Sequence, residues 1–314
     1  MKTLWLLTAA VCITLTTSCG NHRKPAGWRT SDDVHIAVDE TFRPIMEEAF
    51  ETFSLLHVEA KIVPTFCSED SAIRMLVNDS VRCCIATRKL RDNEMRIIES
   101  HNLGAKQAQI ATDAFALIVN KANPDTLISL DEIKKIVSGQ ITRWEQLPRS
   151  GKRGTLKLVF DHSGSSTVRF MRDSLCGGKD LAGNVYASEG GTNTAVKEMV
   201  KADPDIIGVI GTDWLREKGD TVMTNFEPLD VKVLRVSREN DKDAIGWKPY
   251  QYRLLTGDYP LMRSVYVITT DPRVRSTTKT FYFFMKGQKG QTIICNNSQM
   301  LPYTPVQYKS VSVD

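Results

Sequence analysis

Several absences narrow the field before any motif is read. No apolar run reaches the roughly 20 residues that a membrane span takes; the strongest candidate, "LWLLTAAVCITL" (4–15), has twelve. No C-x-x-C occurs, and His22, His35, His57, His101 and His162 show no metal-ligand spacing, so neither a structural zinc nor another metal is expected. There is no Lys/Arg stripe: the net charge is only +4, with basic residues scattered among acids, which argues against a nucleic-acid partner and mildly favours anionic ligands. No internal repeat is evident. Asp161, His162, Ser163 and Ser165 offer the residue types of a hydrolase triad, but adjacency does not assemble a triad, and positions 163–167 lack the G-x-S-x-G elbow. An enzyme is therefore not expected, nor a cofactor.

What is present begins with an export signal. Lys2 supplies a positive start, the apolar run follows, and "TTSC" (16–19) brings small residues up to Cys19. This ending resembles a bacterial lipobox, with residues 1–19 as the leader and Cys19 lipidated as the mature N-terminus. The alternative is a soluble exported protein in which Cys19 is incidental. Residues 20–33 show no hydrophobic periodicity and read as a tether. Beyond Cys12 and Cys19, the odd set Cys67, Cys83, Cys84, Cys176 and Cys295 cannot all pair and reads as small buried hydrophobes.

With 314 residues, 41% of them hydrophobic and 25% charged, the remainder can bury one large or two medium cores. Strand-like "VHIAVD", "AKIVPTF" and "VRCCIAT" alternate with helical patterns in "TFRPIMEEAFETFSLL", "SAIRMLVND" and "LRDNEMRIIESHN". Two strands are expected within "KQAQIATDAFALIVN" (106–120), one long helix in "STTKTFYFFMKGQKGQTIICN" (276–296), and a final strand in "VQYKSVSVD" (306–314). The rhythm predicts an α/β fold with mainly parallel sheets, in which ligands sit beyond the carboxyl ends of strands.

Polar loops follow several of these strands: Thr41-Phe42, "CSEDSA" (67–72) with Ser68, Thr87-Arg88, and the triplet Ser165-Ser166-Thr167. Three hydroxyls where a strand hands over to a helix read either as an N-cap or as an anion site, since a helix N-terminus presents unpaired N–H groups. Several such starts at one end of a sheet favour the anion.

The wording of seven segments in order, "ETFRPIMEEAFETF", "ATDAFALIVNKANP", "LDEIKKIVSGQITRWEQL", "SGSSTVRF", "IIGVIGTDWL", "YPLMRSVYVIT" and "GQKGQTIICNNSQMLPY", is similar to the PstS family, the phosphate-binding proteins of ABC transporters. The resemblance runs from about residue 34 to the end. It implies a two-lobed venus-flytrap fold, with lobe one built from 34–116 plus 263–314 and lobe two from 117–262. Phosphate, or a related tetrahedral oxyanion, would sit between the lobes on Thr41, Phe42, Ser68, Thr87, Arg88, Ser165, Ser166 and Thr167. Partners would be ABC permease subunits and, through Cys19, the membrane; the protein would act as a monomer in the periplasm or on the cell surface. A ligand-sensing or surface lipoprotein on the same scaffold, binding a different anion without transport, is the alternative.

The chain departs from the family at informative points. The family's Asp after the third strand is replaced by Thr87 and Arg88, and its Arg before the hydroxyl triplet by Asp161. Either the charges are exchanged, with Arg88 gripping the oxyanion and Asp161 accepting a proton, or the two form a structural ion pair or are solvated. Glu40, Glu69 and Asp70 stand where the family is neutral. Facing the cleft they would repel a dianion; facing outward they cap helices.

Overall fold

The computed structural model describes residues 33–216, 225–226, 229–240 and 243–307. The leader, Cys19, all of the tether but residue 33, and residues 308–314 of the expected last strand lie outside the described residues; residues 306–307 are not in a strand.

β1 (Val34–Asp39) leads through one 3-10 turn into α1 (Arg43–Leu56), whose spaced Ile45, Met46, Ala49, Phe50 and Phe53 are buried. Then come β2 (Ile62–Cys67), α2 (Glu69–Val77), β3 (Cys83–Ala86) and α3 (Asp92–Ser100). β4 (Lys106–Asn120) is one continuous strand where two were expected, because the run holds no Gly or Pro to turn it. β5 (Leu127–Ser129) precedes α4 (Leu130–Val137), which opens on a Ser129–Glu132 capping box and ends before Gly139 at φ +78°. β6 (Lys157–Phe160) feeds α5 (Ser166–Phe170), which runs on as a π-turn over Met171–Leu175.

The chain continues through β7 (Val185–Ala187), α6 (Asn193–Ala202), β8 (Ile206–Gly211), β9 (Val231–Val233), β10 (Arg235–Ser237), α7 (Gln251–Leu255) and β11 (Met262–Thr269). The expected long helix is two, α8 (Thr277–Lys286) and α9 (Gln288–Asn297), parted at Gly287, where ψ swings to 170°. β12 (Leu301–Pro302) comes last.

Among the described residues one ten-stranded sheet runs β2-β1-β3-β11-β4-β8-β6-β7, with β9 and β12 also on β4. Its outer pairs, β1 with β2 and β3 and β6 with β7 and β8, are parallel, as the strand–helix rhythm requires. The two strands that pass between the halves, β4 and β11, run antiparallel to their neighbours. Buried apolar clusters divide on these strands: residues up to Ala111 and from Val265 onward pack in the first lobe, and Ala114 to Leu261 in the second. Between the cores β4 presents Thr112 and Asp113, in register with Ser264 and Arg263 of β11. The hinge is therefore polar, and it stands at the carboxyl ends of β1, β3 and β6. No helix among the described residues is long and apolar enough to cross a membrane. Among the described residues the five cysteines are free; Cys83 and Cys84 are buried, whereas Cys67, Cys176 and Cys295 are half-buried.

Candidate functional site

Arg263 organises the hinge. Its Nε donates to Asp113 Oδ2 at 2.9 Å, and its Nη1 crosses to the other lobe and donates to Ser166 Oγ at 2.8 Å. The guanidinium also lies 5.3 Å from the Phe42 ring and 5.6 Å from Phe115, so aromatic faces shield it from water.

The end of β1 delivers two acids to the same place. Asp39 is fully buried, and its Oδ1 accepts the Thr41 amide at 3.1 Å. Burial, joined by the charges of Glu69 and Asp161 and opposed by Arg263 and the Ser166 hydroxyl, pushes its carboxyl up to about 7. Glu40 Oε2 accepts from Asn193 Nδ2 at 2.6 Å, and Asn193 Oδ1 in turn accepts the Gly211 amide at 3.0 Å, tying β1 to α6 and β8. Burial pushes Glu40 to about 7 as well, against the Asn193 hydrogen bond.

A second bridge spans the lobes from α2. Glu69 Oε1 accepts both the amide and the hydroxyl of Thr87 at 2.6 Å, and Glu69 Oε2 takes Arg169 Nε at 2.5 Å. Arg169 Nη2 donates to Thr87 Oγ1 at 2.6 Å, closing the triangle. Burial alone would raise the Glu69 carboxyl, but Arg169 and the two Thr87 donors outweigh it and hold it below its ordinary value.

The hydroxyl triplet forms the third wall. Ser165 caps α5, accepting from Val168 N, and its Oγ pairs with Thr167 Oγ1 at 2.8 Å. Thr167 Oγ1 also lies 3.2 Å from Asp161 Oδ1 as donor. Asp161 is buried, and burial raises its carboxyl despite these hydroxyls and Arg263. The Ser188 hydroxyl holds the Asp161 carbonyl at 2.9 Å. His162 is exposed and accepts the Gly164 amide on Nδ1, so it takes no proton from Ser165.

Of the residues singled out in the sequence, Thr41, Phe42, Thr87, Asp161, Ser165, Ser166 and Thr167 come together, all buried. Ser68 stands at the edge as the half-buried cap of α2, hydrogen-bonded to Ser71. Arg88 points elsewhere: both of its terminal nitrogens are held at 2.7 Å by Glu94, and Nη1 also donates to the Lys89 carbonyl. The pairing of Arg88 with Asp161 therefore does not form. Glu40 and Glu69 face inward, whereas Asp70 is exposed. Sequence reasoning missed Asp39, Asp113, Arg169, Arg263 and Asn193. Arg169 alone had a local signal, standing one helical turn beyond Ser165 on the face that meets the other lobe.

The closed cleft thus holds hydroxyls, amides and two guanidiniums among five buried carboxyls, those of Asp39, Glu40, Glu69, Asp113 and Asp161. Four buried atoms in it have no hydrogen-bond partner: Asp39 Oδ2, Glu40 Oε1, Thr41 Oγ1 and Arg263 Nη2.

Comparison with known proteins is consistent across scales. The model of the PBP superfamily domain matches residues 24–287. The phosphate-binding protein PstS of Staphylococcus haemolyticus is 21% identical over 255 residues, covering 80% of this chain and 76% of the relative; PstS of Staphylococcus aureus strain USA300 is 22% identical, covering 80% and 73%. A Clostridium perfringens protein solved with bound phosphate, described as a phosphate ABC transporter substrate-binding protein, superposes with TM-score 0.70 at 22% identity, covering 87% of this chain and all of the other. An ABC-type phosphate transport receptor from Vibrio cholerae gives 0.61 at 21% identity, covering 84% and 97%. At these identities the solved structures establish the fold: two lobes of the periplasmic-binding-protein type.

Proposed function

Because the chain belongs to the PBP superfamily, we propose that it captures a small tetrahedral oxyanion, inorganic phosphate foremost, in the cleft between its lobes outside the cytoplasm and passes it to an ABC permease. One observation carries this reading. The Thr41 loop, the Ser165–Thr167 triplet and Arg263 converge on a single buried point, where Thr41 Oγ1 and Arg263 Nη2 have no partner within the protein. Hydroxyls, first-turn amides and a guanidinium are the donor set that replaces water around an oxyanion. The PstS relatives and the phosphate-bound neighbour point to the same ligand class. Two lobes divided near residues 113 and 262, since Ala114, Phe115 and Ala116 pack in the second core and not in the first as the expected 34–116 would have it, lipid attachment at Cys19 and action as a monomer complete this reading.

The buried carboxyls favour a second reading on the same scaffold, a sensor or surface lipoprotein whose anion carries less negative charge than a dianion. Isothermal titration with phosphate, arsenate and sulfate separates the two. Tight phosphate binding, weakened at least tenfold by Thr167→Ala, supports capture of phosphate. No heat with any of the three anions at any pH would remove the oxyanion reading.

A further inference from the structure

The charges at the hinge are unevenly matched. Glu69 is paired with Arg169 at 2.5 Å and Asp113 with Arg263 at 2.9 Å. Asp39, Glu40 and Asp161 have no cation at hydrogen-bond distance. Asp39 Oδ1 takes a backbone amide, with the Ser166 hydroxyl also beside the carboxyl; Glu40 Oε2 takes the Asn193 amide with Arg43 Nε only at 4.0 Å from Oε1; and Asp161 is the best served, by the Thr167 and Ser165 hydroxyls and the His162 amide. All three are buried, at 0%, 6% and 2% exposure.

An unpaired carboxylate held away from water neutralises rather than remaining charged. The orphaned atoms agree with that outcome. Asp39 Oδ2 and Glu40 Oε1 are acceptors without a hydrogen-bond partner, and an anion that carries no proton, such as sulfate, would bring them none. Protonated, each becomes an O–H donor, which together with the unpartnered Thr41 Oγ1 and Arg263 Nη2 gives the cleft further donors for an oxyanion. The charged and titratable groups packed at this point are Asp39 at the end of β1 and Glu40 after it, Arg43 on α1, Cys67 at the end of β2, Glu69 on α2, Asp113 on β4, Asp161 after β6, Arg169 on α5 and Arg263 on β11, while α6 and β8 bring only the neutral Asn193 and Gly211.

We propose that Asp39 and Glu40 couple oxyanion capture to proton uptake: the cleft closes on its anion with these carboxyls protonated and donating, so binding strengthens as the pH falls. This rests on the oxyanion reading above and adds to it where the proton sits. An acceptor carboxylate that takes a proton from the ligand excludes sulfate; a donor carboxyl admits it. The upward push on Asp39 and Glu40, each to about 7 by burial, places the change near neutrality.

The test is titration of the full chain with inorganic phosphate and with sulfate from about pH 5.5 to about pH 8.5, each in two buffers of different ionisation heat, so that protons taken up are counted. Sulfate carries no proton in this range and reads the carboxyls alone. Its Kd is expected to rise with pH, by up to about tenfold per unit for each proton carried, with protons drawn from the buffer on binding. Asp39→Asn lowers the proton count and flattens the slope, with a melting curve to show that the variant is folded; the unmodified chain tests the proposal without it. A sulfate Kd that is flat or falls as pH rises overturns the proposal. Phosphate binding without sulfate binding at any pH puts the proton on the ligand, overturning the proposal while the oxyanion reading stands. Silence with both anions removes both.

Discussion

A guanidinium serves a ligand only where its planar fork is not already taken, and this separates the arginines of the cleft. Both terminal nitrogens of Arg88 are bound by Glu94 in a largely buried pair, whereas Arg263 keeps Nη2 without a partner between the lobes. Arg88→Ala is therefore expected to leave phosphate affinity within about twofold while lowering stability by about 1–3 kcal/mol, as titration and urea melts on the same preparation will show; a tenfold loss of affinity would return Arg88 to the site. Arg169 predicts the opposite balance. Arg169→Ala leaves Glu69, 1% exposed, as a buried charge with only Thr87 for company, a loss of about 3–5 kcal/mol read in the same melts. A change under about 1 kcal/mol would mean that water reaches Glu69 in the open form. The hydroxyl triplet and the Thr41 loop were legible in the sequence because each is a local event, a strand end turning into a helix. Arg169 and Arg263 were not, because their partners Glu69 and Asp113 are 100 and 150 residues away along the chain; sheet register brings Arg263 to Asp113, and the meeting of the two lobes brings Arg169 on α5 to Glu69 on α2.

Among the elements, the alternation of β1 through α3 could be read from periodicity, since each strand is a short apolar run and each helix carries one buried face. The misjudged elements fail for definite reasons. The β4 run changes lobes midway, so its pattern shifts from mixed to wholly buried, which imitates two strands although nothing in it can turn. At Gly287 the sequence still reads as helix, yet the break lets α9 fold back on α8, and Gly290 then packs so close that a Cβ would stand 2.5 Å from the Phe284 carbonyl. A similar close approach at Gly211 links packing to function. This residue ends β8 in the second lobe with ordinary φ of −62°, and a Cβ there would stand 2.5 Å from Thr41 Cγ2 and 3.3 Å from the Thr41 carbonyl in the first. Gly211→Ala thus needs no forbidden backbone but wedges the lobes apart, so its cost falls on closure. Phosphate affinity is expected to drop at least tenfold, about 1.4 kcal/mol, with urea stability of the ligand-free chain changed by less than that. Equal losses in both would place the clash inside a lobe core.

For the whole molecule, the buried acids set how stability follows pH, and the sign is unusual. Asp39, Glu40 and Asp213 are each pushed to about 7, chiefly by burial, and Asp113 and Asp161 are raised as well. A carboxyl whose folded pKa is raised holds its proton in the native state after the unfolded chain has lost it. Its contribution is complete below the unfolded value near 4 and disappears as the pH climbs to about 7. Glu69, Glu94 and Asp271 are lowered, Asp271 to about 2 as burial is outweighed by Arg273 and Ser276, so their contribution is present above about 4 and is lost on acidification. Of these carboxyls Asp39, Glu40 and Asp213 titrate across the range that ends near 7, and there each removes stability at up to about 1.4 kcal/mol per unit. With its cleft closed, the chain is therefore expected to melt highest near pH 5 and progressively lower toward pH 8, at the acid edge of the usual range of maximal stability. A phosphate excess of about 100 times Kd should restore about 2.7 kcal/mol at a given pH, since only the closed fold binds it. Thermal melts across this range, with and without phosphate, measure both effects. A melting temperature that climbs steadily from pH 5 to 8 would mean that the hinge carboxyls are ionised and solvated in the free protein, which stands open rather than closed.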